Sequence, residues 1–165
     1  MKRIVTQVGD VFSAKLDDKA KKYFQLVAFD LTQLNSDVIR VFKTIYPIEA
    51  KPDLSDVVLG EVEFYAHCVT KWGIKMSLWE KVGKVADVGN VDVLFRDTND
   101  YGSRPGEQVK VSHNWHVWRV NDREFKRVGK LEGEDQKAEI GIVVNPASVV
   151  YRMRTGKYDF VYPGF

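Results

Sequence analysis

The stretch DVFSAKLDDKAKKYFQLVAF, residues 10–29, predicts that the chain begins with an antiparallel β-hairpin. Residues 10–16 and 22–29 are both rich in β-branched and aromatic side chains, which favour strands. Asp17-Asp18-Lys19 lies between them, and Asp is a common turn residue. The hairpin indicates a sheet that is built outward from its first two strands.

Two later stretches continue the strand pattern. Residues 37–46 (DVIRVFKTIY) alternate between an apolar row and a mixed row. In residues 61–69 (EVEFYAHCV) one row is apolar and the other is polar. We therefore expect Cys68, in the apolar row, to be a small buried core residue, and His67, in the polar row, to be half-exposed.

The remaining strands and helices are short. Further strands are predicted at 78–83, 91–95, 108–121, 125–128 and 139–144. A short helix is predicted at 54–59, with Gly60 just past its end. A second helix is predicted from Asn145-Pro146 to Arg154, ended by Gly156, because Asn is a good cap and Pro suits the first turn. The aromatic tail, 158–165, is expected to pack back onto the body.

These elements predict an α+β fold that is predominantly antiparallel β. The expected form is a curved sheet, or a small partly open barrel, with two or three short peripheral helices. We see no internal repeat, low-complexity tract or long linker, so residues 1–165 are predicted to form a single domain. A chain of this length can bury roughly 70% of its extended surface.

The composition of the chain limits its predicted cellular location and the classes of partner that it can bind. Cys68 is the only cysteine, so no intramolecular disulfide can form, and a reducing, cytoplasmic location is predicted. Residues 1–10 lack an apolar core of signal-peptide length, and no apolar run approaches 18 residues, so no membrane association is predicted. The net charge of +2 does not by itself indicate nucleic acid. Residues 104–130 are locally basic, with seven Lys and Arg against three acids.

The stretch QVKVSHNWHVWRVN, residues 108–121, has the appearance of an active site, but its spacing argues against one. Side chains alternate along a strand, so His113 and His116 point to opposite faces and cannot chelate one metal ion. Trp118 shares its face with His116 and Lys110, where an exposed indole would suit a binding patch; complete burial is the alternative. No glycine-rich phosphate loop, HExxH helix, nucleophile elbow or CxxC pair occurs. We predict no cofactor, no metal and no catalytic residue.

A binding surface is the more natural use of this region. The loop at 98–106 (TNDYGSRPG) is rich in turn residues, and functional side chains are often carried on such loops. Aromatic side chains and Arg dominate interface hot spots. The residues predicted to contact a partner are Tyr101, Arg104, His113, His116 and Trp118.

The order of motifs resembles a known family. The hairpin opens with Gly9-Asp10-Val11-Phe12. The strand predicted at 61–69 is followed by LWEKVG at 78–83 and then by LFR at 94–96. Over roughly residues 4–100, this arrangement resembles the immunity protein 26 family of bacterial polymorphic toxin systems. The resemblance implies a small intracellular protein that binds and neutralises a toxin, such as a nuclease, without catalysis of its own. One departure is the glycine-free turn at 17–20, where the family commonly has glycine.

Two other functions stay open. The first is a small-barrel nucleic-acid-binding module, whose binding should fall steeply with salt. Its phosphate contacts would be Arg119, Arg123, Lys126, Arg127 and Lys130. The second is a hydrolase that uses His113 or His116 with Asp97 or Asp100. It requires those side chains to converge in one cleft, and sequence spacing alone does not test that.

Overall fold

The computed structural model describes residues 2–100 and 104–165. The strands are β1 (Asp10–Lys15), β2 (Ala20–Asp30), β3 (Ser36–Phe42), β4 (Tyr46–Pro47), β5 (Val62–His67), β6 (Trp79–Lys84), β7 (Leu94–Thr98), β8 (Trp115–Arg119), β9 (Lys126–Gly129) and β10 (Glu139–Ile140). The α-helices are α1 (Leu54–Val57), α2 (Thr70–Lys75) and α3 (Pro146–Thr155). A 3-10 helix spans Gly133–Lys137.

The first sheet is antiparallel, with the strand order β5-β3-β2-β1-β6, and β4 pairs with the start of β2. The predicted hairpin is confirmed, since β1 pairs with β2 in the register Phe12↔Phe24. The two rings stack with their centroids 4.9 Å apart, and Trp79 of β6 packs edge-on against Phe24. This apolar face, covered by α3, forms the main core.

The second sheet has the order β10-β7-β8-β9. Strand β10 is parallel to β7, and the other pairs are antiparallel. The two sheets meet where Val27 and Val38 of the first pack against Phe95 and Trp118 of the second. The predicted α+β, mainly antiparallel fold class is therefore confirmed, in the form of two packed open sheets with short helices around them.

Helix α3 is where the sequence signals were most complete, and the prediction is confirmed. The side chain of Asn145 accepts a hydrogen bond from the N–H of Ala147 at 2.9 Å. Gly156 ends the helix with φ = 86°, in the left-handed region that glycine tolerates best. The tail packs back as expected, with Tyr158 and Phe160 against the main core.

The predicted strand at 108–121 is too long, since β8 begins only at Trp115. The preceding segment makes local bonds instead. The N–H of Asn114 donates to the hydroxyl of Ser112, and the indole of Trp115 donates to the carbonyl of Ser112. Ser112 thus supplies local hydrogen-bond partners, while its own N–H donates to the carbonyl of Gly164 in the tail. The strand predicted at 139–144 likewise shortens to β10.

Helix α2 was not predicted. Thr70 starts it by donating its N–H and its hydroxyl to the carboxylate of Asp37, at 2.8 and 2.6 Å. Gly73 lies inside this helix because a Cβ atom there would stand 2.0 Å from the ring of Trp79. The helix is thus held by tertiary contacts that sequence periodicity does not report.

The expectation for His67 is wrong, whereas that for Cys68 is confirmed. Both side chains are fully buried. His67 does lie on the face of β5 opposite Cys68, but the second sheet covers that face, and the Phe95 ring lies 4.3 Å from the imidazole. Asp30 accepts a hydrogen bond from His67 Nε2 at 2.8 Å, and this bond offsets part of the cost of burying a polar imidazole.

Within the described parts of the chain, no helix is long and apolar enough to cross a membrane.

Candidate functional site

A polar cleft of about 340 Å³ lies at the end of the second sheet. Strands β8 and β9 and the loop that follows β7 form its walls. The described residues that line it are Asn99, Asp100, Asn114, Trp115, His116, Arg127 and Gly129. The described lining therefore contains groups of both charges and two amide side chains.

Three charged or titratable residues cross the sheet in one row beside this cleft. Asp97 of β7 is the register partner of His116 of β8, and His116 is the register partner of Arg127 of β9. Register partners in an antiparallel sheet share a face, so these side chains are neighbours. The sheet thus brings an acid, an imidazole and a guanidinium together on one surface.

Burial sets the protonation of this row. It raises the pKa of Asp97, although the N–H of Thr98 and the hydroxyl of Tyr162 donate to its Oδ1 at 2.8 and 3.0 Å. Burial also lowers the pKa of His116, against the attraction of Asp97, and the charge of Arg127 lowers it further. The neutral imidazole is therefore the favoured form of His116 at neutral pH, and it can both donate and accept a hydrogen bond.

An aromatic ladder leads from the interior to the edge of the cleft. The imidazole of His116 stacks on the buried Trp118, with the centroids 5.7 Å apart and the planes 22° apart. The Phe125 ring also contacts His116, with the centroids 4.4 Å apart, and the guanidinium of Arg127 lies over Phe125. Phe125 is 38% exposed. The ladder holds an exposed aromatic ring and an Arg in fixed positions.

The predicted partner-binding residues have different outcomes. His116 lines the cleft, whereas His113 is exposed and is not among the lining residues. Arg104 is exposed, and its N–H donates to the carboxylate of Glu107. Tyr101 lies outside the described residues. The idea of an exposed Trp118 is wrong, because its indole fills the junction between the sheets and is only 3% exposed.

The structure shows part of the side-chain arrangement that the hydrolase hypothesis requires. His116 and Asp100 line the same cleft, and Asp97 is adjacent to His116. The described lining residues include no Ser, Thr or Cys side chain. Cys68 is buried elsewhere, and burial raises the pKa of its thiol far above the ordinary range. The nucleophiles open to a reaction in the described part of the cleft are therefore water, the carboxylate of Asp100 and the imidazole of His116.

A metal centre finds no support in the described residues. They contain no group of three or more His, Cys, Asp and Glu side chains placed to hold an ion. His67, which could have joined such a group, is hydrogen-bonded to Asp30 in the interior.

The basic residues proposed for nucleic acid lie on or beside the β8–β9 hairpin, and all are exposed. Two exposed acidic residues, Asp122 and Glu124, lie between them in the chain. Arg119 also pairs with Asp92 at 3.4 Å.

Sequence reasoning did not identify Phe125 as a site residue. The available signal was the F-x-R spacing of Phe125 and Arg127, which places both side chains on one face of a strand. A single aromatic residue in a basic turn is too common a pattern to mark a site by itself.

The fold and the cleft define a two-sheet α+β protein with a polar surface site. Searches of protein-family models, of curated proteins and of solved structures found nothing that matches this chain.

Proposed function

We propose that this chain is a non-catalytic immunity-type protein that binds and neutralises a bacterial toxin domain. The contact surface comprises His116 and Arg127, which line the polar cleft, Phe125, which packs against His116, and the exposed Arg104. The motif order at residues 9–12, 78–83 and 94–96 supports this class of protein, because it resembles an immunity family.

One observation carries the choice of surface: the ladder that runs from Trp118 through His116 to Phe125. Interface hot spots are typically aromatic or Arg side chains that are already held in their bound positions. Phe125 packs against His116, and the guanidinium of Arg127 lies over its ring. Less conformational entropy is then lost when a partner packs against this ring.

The first test is a pull-down with the tagged full chain from lysates of the source bacterium that contain secreted toxins. A captured toxin-like protein is then purified and titrated against the chain by calorimetry, and the toxin's activity is measured over the same titration. The proposal expects one-to-one binding and complete inhibition at one equivalent. A partner that keeps full activity when saturated would refute neutralisation.

Variants then locate the surface. Phe125→Ala with Arg127→Ala should weaken binding at least about 30-fold, the loss typical of hot-spot residues. The matched control is Lys51→Ala with Lys157→Ala, which removes two exposed side chains elsewhere. Tyr101→Ala with Arg104→Ala tests the loop, and unchanged affinity in this pair would remove the loop from the interface.

A hydrolase is the second candidate, favoured by the Asp97–His116 neighbour pair. In this mechanism, neutral His116 would accept a proton from water as water attacks an ester or phosphoester, and Arg127 would stabilise the developing negative charge. Hydrolysis of p-nitrophenyl acetate and bis-p-nitrophenyl phosphate tests it. Turnover by the original chain that disappears in His116→Gln would replace the binding proposal with a catalytic one. Equal rates in the original chain and the variant would exclude a catalytic role for His116.

A further inference from the structure

A basic groove lies between residues 2–4 and α2. Its volume is about 500 Å³, and its lining residues are Lys2, Arg3, Ile4, Lys71 and Lys75. Four of these five side chains are cationic. Trp72 of α2 and Met76, the residue that follows α2, are also exposed and lie next to the lining residues Lys71 and Lys75 in the chain. We refer to Lys2, Arg3, Lys71, Lys75, Trp72 and Met76 together as the α2 patch.

The cations of the α2 patch are not neutralised within the described chain. None of the four forms an ion pair with a described residue, whereas other lysines do. Those paired lysines are Lys22 with Glu63, Lys43 with Glu61, Lys81 with Asp10, and Lys137 with Glu134. Concentrated positive charge without internal partners favours association with an external anion.

Trp72 is an unusual tryptophan in this protein. It is 57% exposed, whereas Trp79, Trp115 and Trp118 are at most 4% exposed. The backbone that carries it is held in place, because the next residue, Gly73, packs directly against the ring of Trp79 and the helix start is bonded to Asp37 of β3. Helix α2 therefore presents an exposed indole ring next to Lys71 in the chain and three residues before Lys75.

We propose that the α2 patch binds single-stranded nucleic acid. The four cations contact successive phosphates along the groove, and a base stacks on Trp72. Surfaces of this type combine a positively charged groove with an aromatic platform and show little sequence preference. A recessed groove accepts a flexible polyphosphate chain, whereas a flat lipid surface would meet its rim first.

This site is separate from the β8–β9 hairpin on which the sequence placed nucleic-acid contacts. It also does not rest on the proposed toxin surface. A chain that fails to bind a toxin can still bind a single strand at α2, and the reverse also holds.

The test is fluorescence anisotropy with a labelled oligonucleotide of about 12 nucleotides, within the site sizes of such surfaces, at ~50 mM salt. The double variant Lys71→Glu with Lys75→Glu should lose at least tenfold in affinity. Trp72→Ala should lose roughly 5- to 100-fold, the effect of removing one stacked base contact. For four phosphates, the slope of log affinity against log salt should be about −3.

Two controls carry the same change in net charge. Lys51→Glu with Lys157→Glu tests general electrostatics, and Lys126→Glu with Lys130→Glu tests the hairpin. Both should retain the affinity of the original chain more closely than the α2 variant. Equal losses in all three, or a greater loss in the hairpin variant, would overturn the assignment.

Tryptophan fluorescence gives an independent readout. Since Trp72 is the exposed indole, iodide should quench a fraction of the emission that Trp72→Ala abolishes, and the oligonucleotide should protect that fraction. Absence of binding at ~50 mM salt would refute the proposal. So would binding to vesicles of anionic phospholipid, or to a poly-glutamate peptide, with an affinity equal to that for the oligonucleotide.

Discussion

Substitution of Asp30 should be among the most damaging changes in this protein. Its carboxylate is fully buried at the end of β2, where the two sheets meet. Two side-chain N–H groups from other strands donate to its Oδ2: His67 Nε2 at 2.8 Å and Trp118 Nε1 at 3.3 Å. Its Oδ1 accepts from the N–H groups of Thr32, Gln33 and Asn121 and from the hydroxyl of Thr32.

The magnitude follows from the donors that Asp30→Ala would leave. His67 and Trp118 are buried, so water does not replace the lost acceptor, and each unsatisfied donor costs about 1–3 kcal/mol. Donors in the flanking turns are closer to solvent and add less. We expect a total loss of about 3–5 kcal/mol, a large fraction of the 5–15 kcal/mol that stabilises a typical domain. Asp30→Asn keeps the volume and one acceptor oxygen and should cost less.

Urea unfolding, followed by far-UV circular dichroism, measures this loss as a shift in midpoint at constant slope. Asp17→Ala is the matched control. Asp17, like Asp30, accepts hydrogen bonds from backbone N–H groups, in this case those of Lys19 and Ala20, but it lies at the surface in the first turn. It should lose clearly less stability than Asp30→Ala. A loss below about 1 kcal/mol in Asp30→Ala, or a larger loss in Asp30→Asn, would contradict the assignment of Asp30 as the buried acceptor.

Three further predictions concern the interior. Burial lowers the pKa of His67 despite the hydrogen bond to its partner, so the unfolded chain binds a proton that the folded chain resists. Stability should therefore decline as the pH falls below about 6.5, the ordinary histidine value, and urea midpoints of His67→Gln should depend less on pH in that range. Gly141→Ala places a Cβ atom 2.2 Å from the ring of Trp118 and should cost about 1–3 kcal/mol, whereas Gly164→Ala meets only an ordinary contact at 3.5 Å and should change the urea midpoint little. Cys68 should react with a thiol reagent only after unfolding, since it is buried and its pKa is raised by burial; prompt labelling of the folded chain would contradict this.

Local signals in the sequence were sufficient for much of the fold. The hairpin 10–29 combined strand formers with a turn of Asp residues, and α3 had both an Asn cap and a terminal Gly. In each case neighbouring residues in the chain supply the stabilising interaction. Such elements can be predicted from a window of ten or twenty residues.

The errors arose where distant residues decide the local structure. His67 follows a polar alternation that predicts exposure, yet the second sheet covers it and Asp30, 37 residues earlier, supplies its partner. Helix α2 depends on Asp37 at its start and on Trp79 over its glycine. Tertiary contacts override local propensity in both places.

The candidate site was predictable only in part. Strand alternation does not apply to His113, which precedes β8, and the row of Asp97, His116 and Arg127 depends on the register between three strands. A one-residue shift in either pairing would move a side chain to the other face. Register of this kind is set by the packing of the whole sheet.

The C-terminal tail has a consequence for the order of the cleft. Gly164 exchanges backbone hydrogen bonds with Lys110 and Ser112, and the hydroxyl of Tyr162 donates to the Asp97 carboxylate. Residues 162–164 therefore hold Lys110 and Ser112, which lie before β8, and also the carboxylate of Asp97. If this attachment opens locally, the backbone partners of Lys110 and Ser112 and one donor to Asp97 are lost together. The surroundings of Asp97, the register partner of His116, thus depend on the tail as well as on the sheets.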